Sequence, residues 1–113
     1  MTRFEFLGLL PNKRITAYVF QKNTRRLNKL WTTDPITFVD QLPPSFISLK
    51  IIARFSQPEL GHLLKATWYS PRQGYCVSAY FKPDKRKLKR FVKRFDIKLP
   101  EFKPIAAEYP ESS

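Results

Sequence analysis

The chain has 113 residues, 42% of them hydrophobic and 15% aromatic, and its 21 Lys/Arg against 9 Asp/Glu leave a net charge of +12. That is enough chain for one domain with one core and too little for two, and too apolar a chain to be disordered. A single cysteine, Cys76, excludes an intramolecular disulfide, and no apolar run reaches the length of about 18 residues that spans a bilayer.

The opening MTRFEFLGLLPNKR is too short in its apolar run for a signal peptide, so a soluble, cytoplasmic protein is expected. Arg3 to Leu10 is aromatic and aliphatic and reads as a strand, closed by the turn signal Pro11-Asn12-Lys13. Arg14 to Phe20 is β-branched and aromatic, with Ile15, Ala17 and Val19 on one face. Asn23 and Thr24 break it, and Arg26 to Thr33 reads as a third strand. The first third is therefore expected to be an antiparallel meander.

Asp34-Pro35 places Asp at an N-cap and Pro at the first helical position, for one or two turns through Ile36, Val39 and Asp40. Leu42 to Ser45 follows as an extended seam between two halves of one domain. Phe46 to Phe55 alternates as a strand. Ser56 and Glu59 have capping-box spacing, which predicts a single helical turn over Pro58 to Gly61.

Leu64 to Tyr69 and Tyr75 to Phe81 alternate independently, and a four-residue loop Pro71 to Gly74 sets them in register. Ser70 then faces Tyr75, Trp68 faces Val77, Ala66 faces Ala79 and Leu64 faces Phe81. The opposite side carries Lys65, Thr67, Tyr69, Cys76, Ser78 and Tyr80, joined by Lys50 and Arg54 of the neighbouring strand. It holds cations and tyrosines without a carboxylate. Such a face can stack bases of a single-stranded nucleic acid.

Lys82 to Lys98 carries nine Lys/Arg and two acids, so +7 of the +12 lies in seventeen residues. Leu88, Phe91, Val92 and Phe95 recur at i, i+3, i+4 and i+7, which predicts an amphipathic helix over 84–95 with Asp84 as N-cap. Lys85, Arg86, Lys87, Lys89, Arg90, Lys93 and Arg94 fill the other side. Its like-charged i, i+4 pairs each destabilise by roughly 0.2–0.5 kcal/mol, a cost that a helix kept for packing alone could avoid with Glu. Pro100 to Ser113 is expected to be an extended tail.

His62 and Cys76 are the only nucleophile–base pair of their kind, the three glycines are scattered, and the carboxylates stand in separate segments. No catalytic site, metal site or cofactor is expected. Gly74 to Tyr80 loosely follows the RNP1 layout of RNA-recognition domains. Gln73 stands where a cation belongs, however, and Val77 where an aromatic belongs, so the likeness is coincidental.

The expected architecture is α+β. One domain (residues 1–99) holds about six short antiparallel strands in two three-stranded groups, with Leu88, Phe91, Val92 and Phe95 packing the helix on one sheet face. The expected function is a non-enzymatic nucleic-acid-binding protein, for DNA or RNA. Its contacts would be Lys82, Lys85, Arg86, Lys87, Lys89, Arg90, Lys93 and Arg94 of the helix region, with Lys50, Arg54, Lys65, Tyr69, Arg72 and Tyr80 of the sheet. The competing expectation is a subunit of a larger assembly that docks its basic helix on an acidic protein. A membrane-surface module ranks third.

Overall fold

The structure, a computed structural model, describes residues 1–45, 47–54 and 57–102. Its strands are β1 (Ile15–Gln21), β2 (Arg26–Thr33), β3 (Ser48–Ala53), β4 (His62–Ser70) and β5 (Tyr75–Phe81). They form one antiparallel sheet in the order β2-β1-β5-β4-β3. The helices are α1 (Arg3–Leu7), α2 (Pro35–Asp40) and α3 (Lys85–Arg94).

Two expectations fail here. The sheet has five strands rather than about six, because Arg3–Leu7 is helical. Thr2 and Glu5 form a capping box: Glu5 N donates to Thr2 Oγ1 (3.2 Å) and Thr2 N donates to Glu5 Oε1 (3.3 Å). Those paired bonds satisfy free N–H groups at the helix start and decide a segment whose apolar content suits either structure. The two strand groups also merge into one sheet, since β1 pairs with β5 through Ala17↔Phe81 and Tyr18↔Tyr80.

The β4–β5 hairpin has the register that alternation predicts, from Leu64↔Phe81 to Ser70↔Tyr75. Gly74 closes its loop at φ 79°, where a side chain would be strained, and Gly74 N donates to Ser70 O (2.8 Å). Leu64, Ala66, Ala79 and Phe81 face the core, joined by Ile15 and Ala17 of β1. Phe6 of α1 and Phe38 of α2 cover them. The Phe38 ring lies 5.3 Å from Phe81, 5.6 Å from Trp68 and 5.0 Å from Trp31, in tilted and edge-on arrangements that aromatic quadrupoles favour. Asp34 caps α2, its Oδ1 accepting from Thr37 N (2.8 Å).

Asp84 caps α3, its Oδ1 accepting from Lys87 N (3.0 Å), while Asp84 N donates to Leu9 O (3.0 Å) and ties the helix to the segment just after α1. Leu88 is buried in the core, and Phe91 and Val92 pack at its margin. Phe95, expected in the core, is 49% exposed. The helix stops well before Pro100. Asp96 adopts φ 51° and Ile97 N returns to Val92 O (2.9 Å), so a Schellman-type bond ends it and Phe95 falls on the last, outward turn. Beyond it Leu99 packs on the core, His62 Nε2 donates to Pro100 O (2.8 Å), and the Phe102 ring lies 4.9 Å from His62. The expected tail from residue 103 onward lies outside the described residues.

The β3–β4 connection also departs from expectation. The strand expected over Phe46 to Phe55 is Ser48–Ala53; Phe46, Phe55 and Ser56 lie outside the described residues, and with Ser56 the expected capping box. A 3-10 turn does form at Pro58–Leu60. Gln57, just before it, is buried, and its Oε1 accepts from Leu27 N of β2 (2.6 Å). In a flat sheet these groups would lie at opposite edges, about 19 Å apart at about 4.8 Å per strand. The Arg54 guanidinium likewise lies over the Phe20 ring of β1, 4.6 Å from its centroid.

The β1–β2 hairpin therefore curls across the sheet toward the β3–β4 connection. A bulge at Leu30 supports the curl: Ala17 faces Trp31 but Tyr18 faces Lys29, and the extra residue increases local twist. Leu63 of β4 and Leu27 of β2 are both buried and both outside the main core, on the sheet face opposite Leu64.

Candidate nucleic-acid interface

Burying Leu88 turns the charged side of α3 outward. Lys85, Arg86, Lys89, Arg90, Lys93 and Arg94 are exposed, and so is Lys82 before the helix. Lys87 is different: its Nζ donates to Leu10 O (2.9 Å) and Asn12 Oδ1 (2.5 Å), which makes it partly a structural clasp on the loop after α1. No carboxylate stands between Lys85 and Arg94, so the like-charge cost on this face is not offset within the helix.

Across the sheet, register assembles a row that sequence spacing could only half define. Lys50 faces Lys65, Lys65 faces Tyr80, Tyr80 faces Tyr18, and Tyr18 faces Lys29. Side chains of paired residues point to the same side. Five strands thus contribute Lys, Lys, Tyr, Tyr and Lys in order, on the side away from Leu64 and Phe81. Lys65 Nζ lies 5.9 Å from the centre of the Tyr80 ring. Thr67 and Ser78 share a hydroxyl hydrogen bond (2.7 Å) beside the row.

The other predicted sheet residues are placed differently. Tyr69 is 44% exposed and lies farther along β4, opposite Cys76. Cys76 is itself exposed. Arg54 points inward: Nε and Nη2 have no exposed surface and no hydrogen-bond partner among the described residues. Its charge is spent over Phe20 rather than presented to a ligand. Arg72 is exposed in the β4–β5 turn, beside a cleft of about 520 Å³ lined by Trp31, Phe38 and Trp68.

The helix and the row meet at one corner. A shallow cleft of about 600 Å³ is lined by Arg14, Thr16, Tyr18, Lys82, Lys85 and Arg86, with Asp84 beside them. Arg14 is steadied by donation from Nη2 to Thr32 O (3.4 Å). The Lys87 backbone N–H on Asp84 holds its carboxyl below the usual value, with the Arg86 N–H and the charges of Lys87 and Arg86 adding to this against some desolvation. Arg14, Tyr18 and Lys29 were missed from sequence. Alternation does set Tyr18 opposite Ala17, but it does not say that β1 pairs with β5.

The chain matches no protein-family model and shows no significant similarity to a curated protein or to a solved structure.

Proposed function

We propose that the chain is a non-enzymatic nucleic-acid-binding module. The observation that carries this reading is the corner cleft, where cations of α3 and of the segments flanking β1 and β5 meet the Lys–Lys–Tyr–Tyr–Lys row, itself free of carboxylate. Lys82, Lys85, Arg86, Lys89, Arg90 and Lys93 supply sequence-independent attraction to phosphate, and Arg14 joins them at the corner. Tyr18 and Tyr80 supply ring faces for unstacked bases, each worth about 1–3 kcal/mol where a base stacks. Arg54 leaves the contact set, and Tyr69 is secondary to Tyr18. No helix among the described residues is long and apolar enough to cross a membrane.

The test is a binding panel of single- and double-stranded DNA and RNA at two salt concentrations. Affinity should fall steeply with salt, with a slope of about 0.9 per neutralised phosphate on duplex DNA. Absence of salt-dependent binding to all four polymers overturns the reading.

A further inference from the structure

A second surface shares only Arg90 with the proposed phosphate contacts. Between α1 and α3 runs a groove of about 760 Å³ with Phe4, Phe91 and Phe95 on its walls and Gly8 and Leu9 at its base. Phe4 is 76% exposed, because α1 turns Phe6 into the core and its neighbour two residues back the other way. Phe95 packs at a tilt against Phe91 with ring centres 4.9 Å apart, and both rings line this side of α3. Apolar exposure concentrated in one concave place marks an interaction surface.

The groove is held open by fixed walls. The Thr2–Glu5 capping box secures α1, Arg3 Nη1 donates to Leu42 O (3.2 Å), and Asp84 N binds Leu9 O. A ligand meets a site formed in advance, which lowers the ordering cost of binding.

Charge decides what fits. Lys87, Arg90 and Arg94 stand on the rim, and the Arg94 guanidinium lies over the Phe95 ring at 5.3 Å. The one acid lining the groove, Glu5, already accepts from Thr2 N and Thr2 Oγ1. Phosphates of a nucleic acid would match the rim but set charge against an apolar floor. A bilayer surface would reach the exposed Phe4 and Phe95 but not Leu9, which is buried between the helices.

We propose that this groove binds an acidic, amphipathic segment of a partner protein. Its apolar residues seat on Phe4, Phe91 and Phe95, and its carboxylates meet Arg90 and Arg94, Lys87 being engaged by Leu10 and Asn12. This is the helix-in-groove mode of recognition, with anchors at helical spacing.

The experiment is selection from a display library of short random peptides against the full chain, with the double variant Phe4→Ala/Phe95→Ala as counter-target. Both rings are exposed, so the variant should melt like wild type, which circular dichroism checks. The expected result is enrichment of peptides with apolar residues at i, i+3 or i+4, and i+7 among Asp and Glu. Synthetic versions should bind at least about tenfold more weakly to the double variant and more weakly to Arg94→Ala. Oligonucleotide binding by the double variant should be unchanged. Three outcomes overturn the proposal. One is a selection without that pattern, and another is selected peptides that bind the double variant as well as wild type. The third is capture of phosphatidylserine vesicles through Phe4 and Phe95 that the peptides fail to compete.

Discussion

On one face of the sheet, Phe6, Phe38 and Leu88 from three helices meet Leu64, Ala66, Ala79 and Phe81, with Phe6 edge-on to Phe81 and Phe38 tilted against it. On the other face the β1–β2 hairpin curls toward the β3–β4 connection, held by the Gln57–Leu27 hydrogen bond and the Arg54–Phe20 contact, and Lys50, Lys65, Tyr80, Tyr18 and Lys29 form a row across the strands. The first face can supply most of the hydrophobic stability, since that term grows with apolar area removed from water. The second is then free to carry lysines and tyrosines that add little to folding. Stability and the proposed binding are thus divided between opposite sides of the same strands, as period-two alternation allows.

The contrast breaks most visibly through the core. Phe81 is fully buried among Phe6, Phe38 and Trp31, and Phe81→Ala should cost about 3–5 kcal/mol in urea unfolding. The second face should yield less. Gln57→Ala removes the acceptor for the Leu27 N–H, and an orphaned buried donor costs about 1–3 kcal/mol. If Gln57→Ala proves as damaging as Phe81→Ala, the curled hairpin is part of the main cooperative core and the division between faces fails.

The two faces were also unequally legible in sequence. The β4–β5 hairpin could be read whole, because two alternations and one Pro/Gly loop fix a single register over short range. Asp34 and Asp84 announced their helices through N-cap chemistry. The Thr2–Glu5 capping box is equally present, but the apolar content around it suits a strand as well as a helix. The Ala17↔Phe81 and Tyr18↔Tyr80 pairing could not be read, since it joins residues more than sixty positions apart and rests on packing rather than local pattern. That pairing is what places Tyr18 beside Tyr80 and Arg14 beside Lys85. The α3 part of the candidate interface was accordingly visible from composition, and the β1 part was not.

Binding measurements sharpen the comparison further. Lys89→Glu/Arg90→Glu/Lys93→Glu should abolish binding to every polyanion while leaving the fold intact, because all three side chains are exposed. Tyr18→Ala/Tyr80→Ala should weaken single-strand binding at least tenfold, about 1.4 kcal/mol, and leave duplex binding nearly unchanged. Equal losses on both substrates would remove the stacking role from the sheet and leave α3 and the corner as the site.

The smallest expected effect concerns the one carboxylate at the basic corner. Asp84 both caps α3 and places a negative charge beside Lys82, Lys85 and Arg86. Its folded-state pKa is lowered, chiefly by the Lys87 N–H, so its contribution to stability is complete above the ordinary carboxylate value of 3.8 and is lost as pH falls through the lower folded-state value. Asp84→Ala should therefore lower the melting temperature by a constant amount near neutral pH, and the gap to wild type should narrow below about pH 4. Asp84→Asn separates the two roles, because Asn retains a capping oxygen but no charge. It should largely preserve the melting temperature at neutral pH and modestly raise affinity for oligonucleotides at low salt, the repulsion toward phosphate having gone. Titrations of both variants at two ionic strengths measure this directly. An unchanged affinity for Asp84→Asn at low salt would mean that the polyanion does not pass through the corner cleft, and would shift the proposed path onto the outer side of α3.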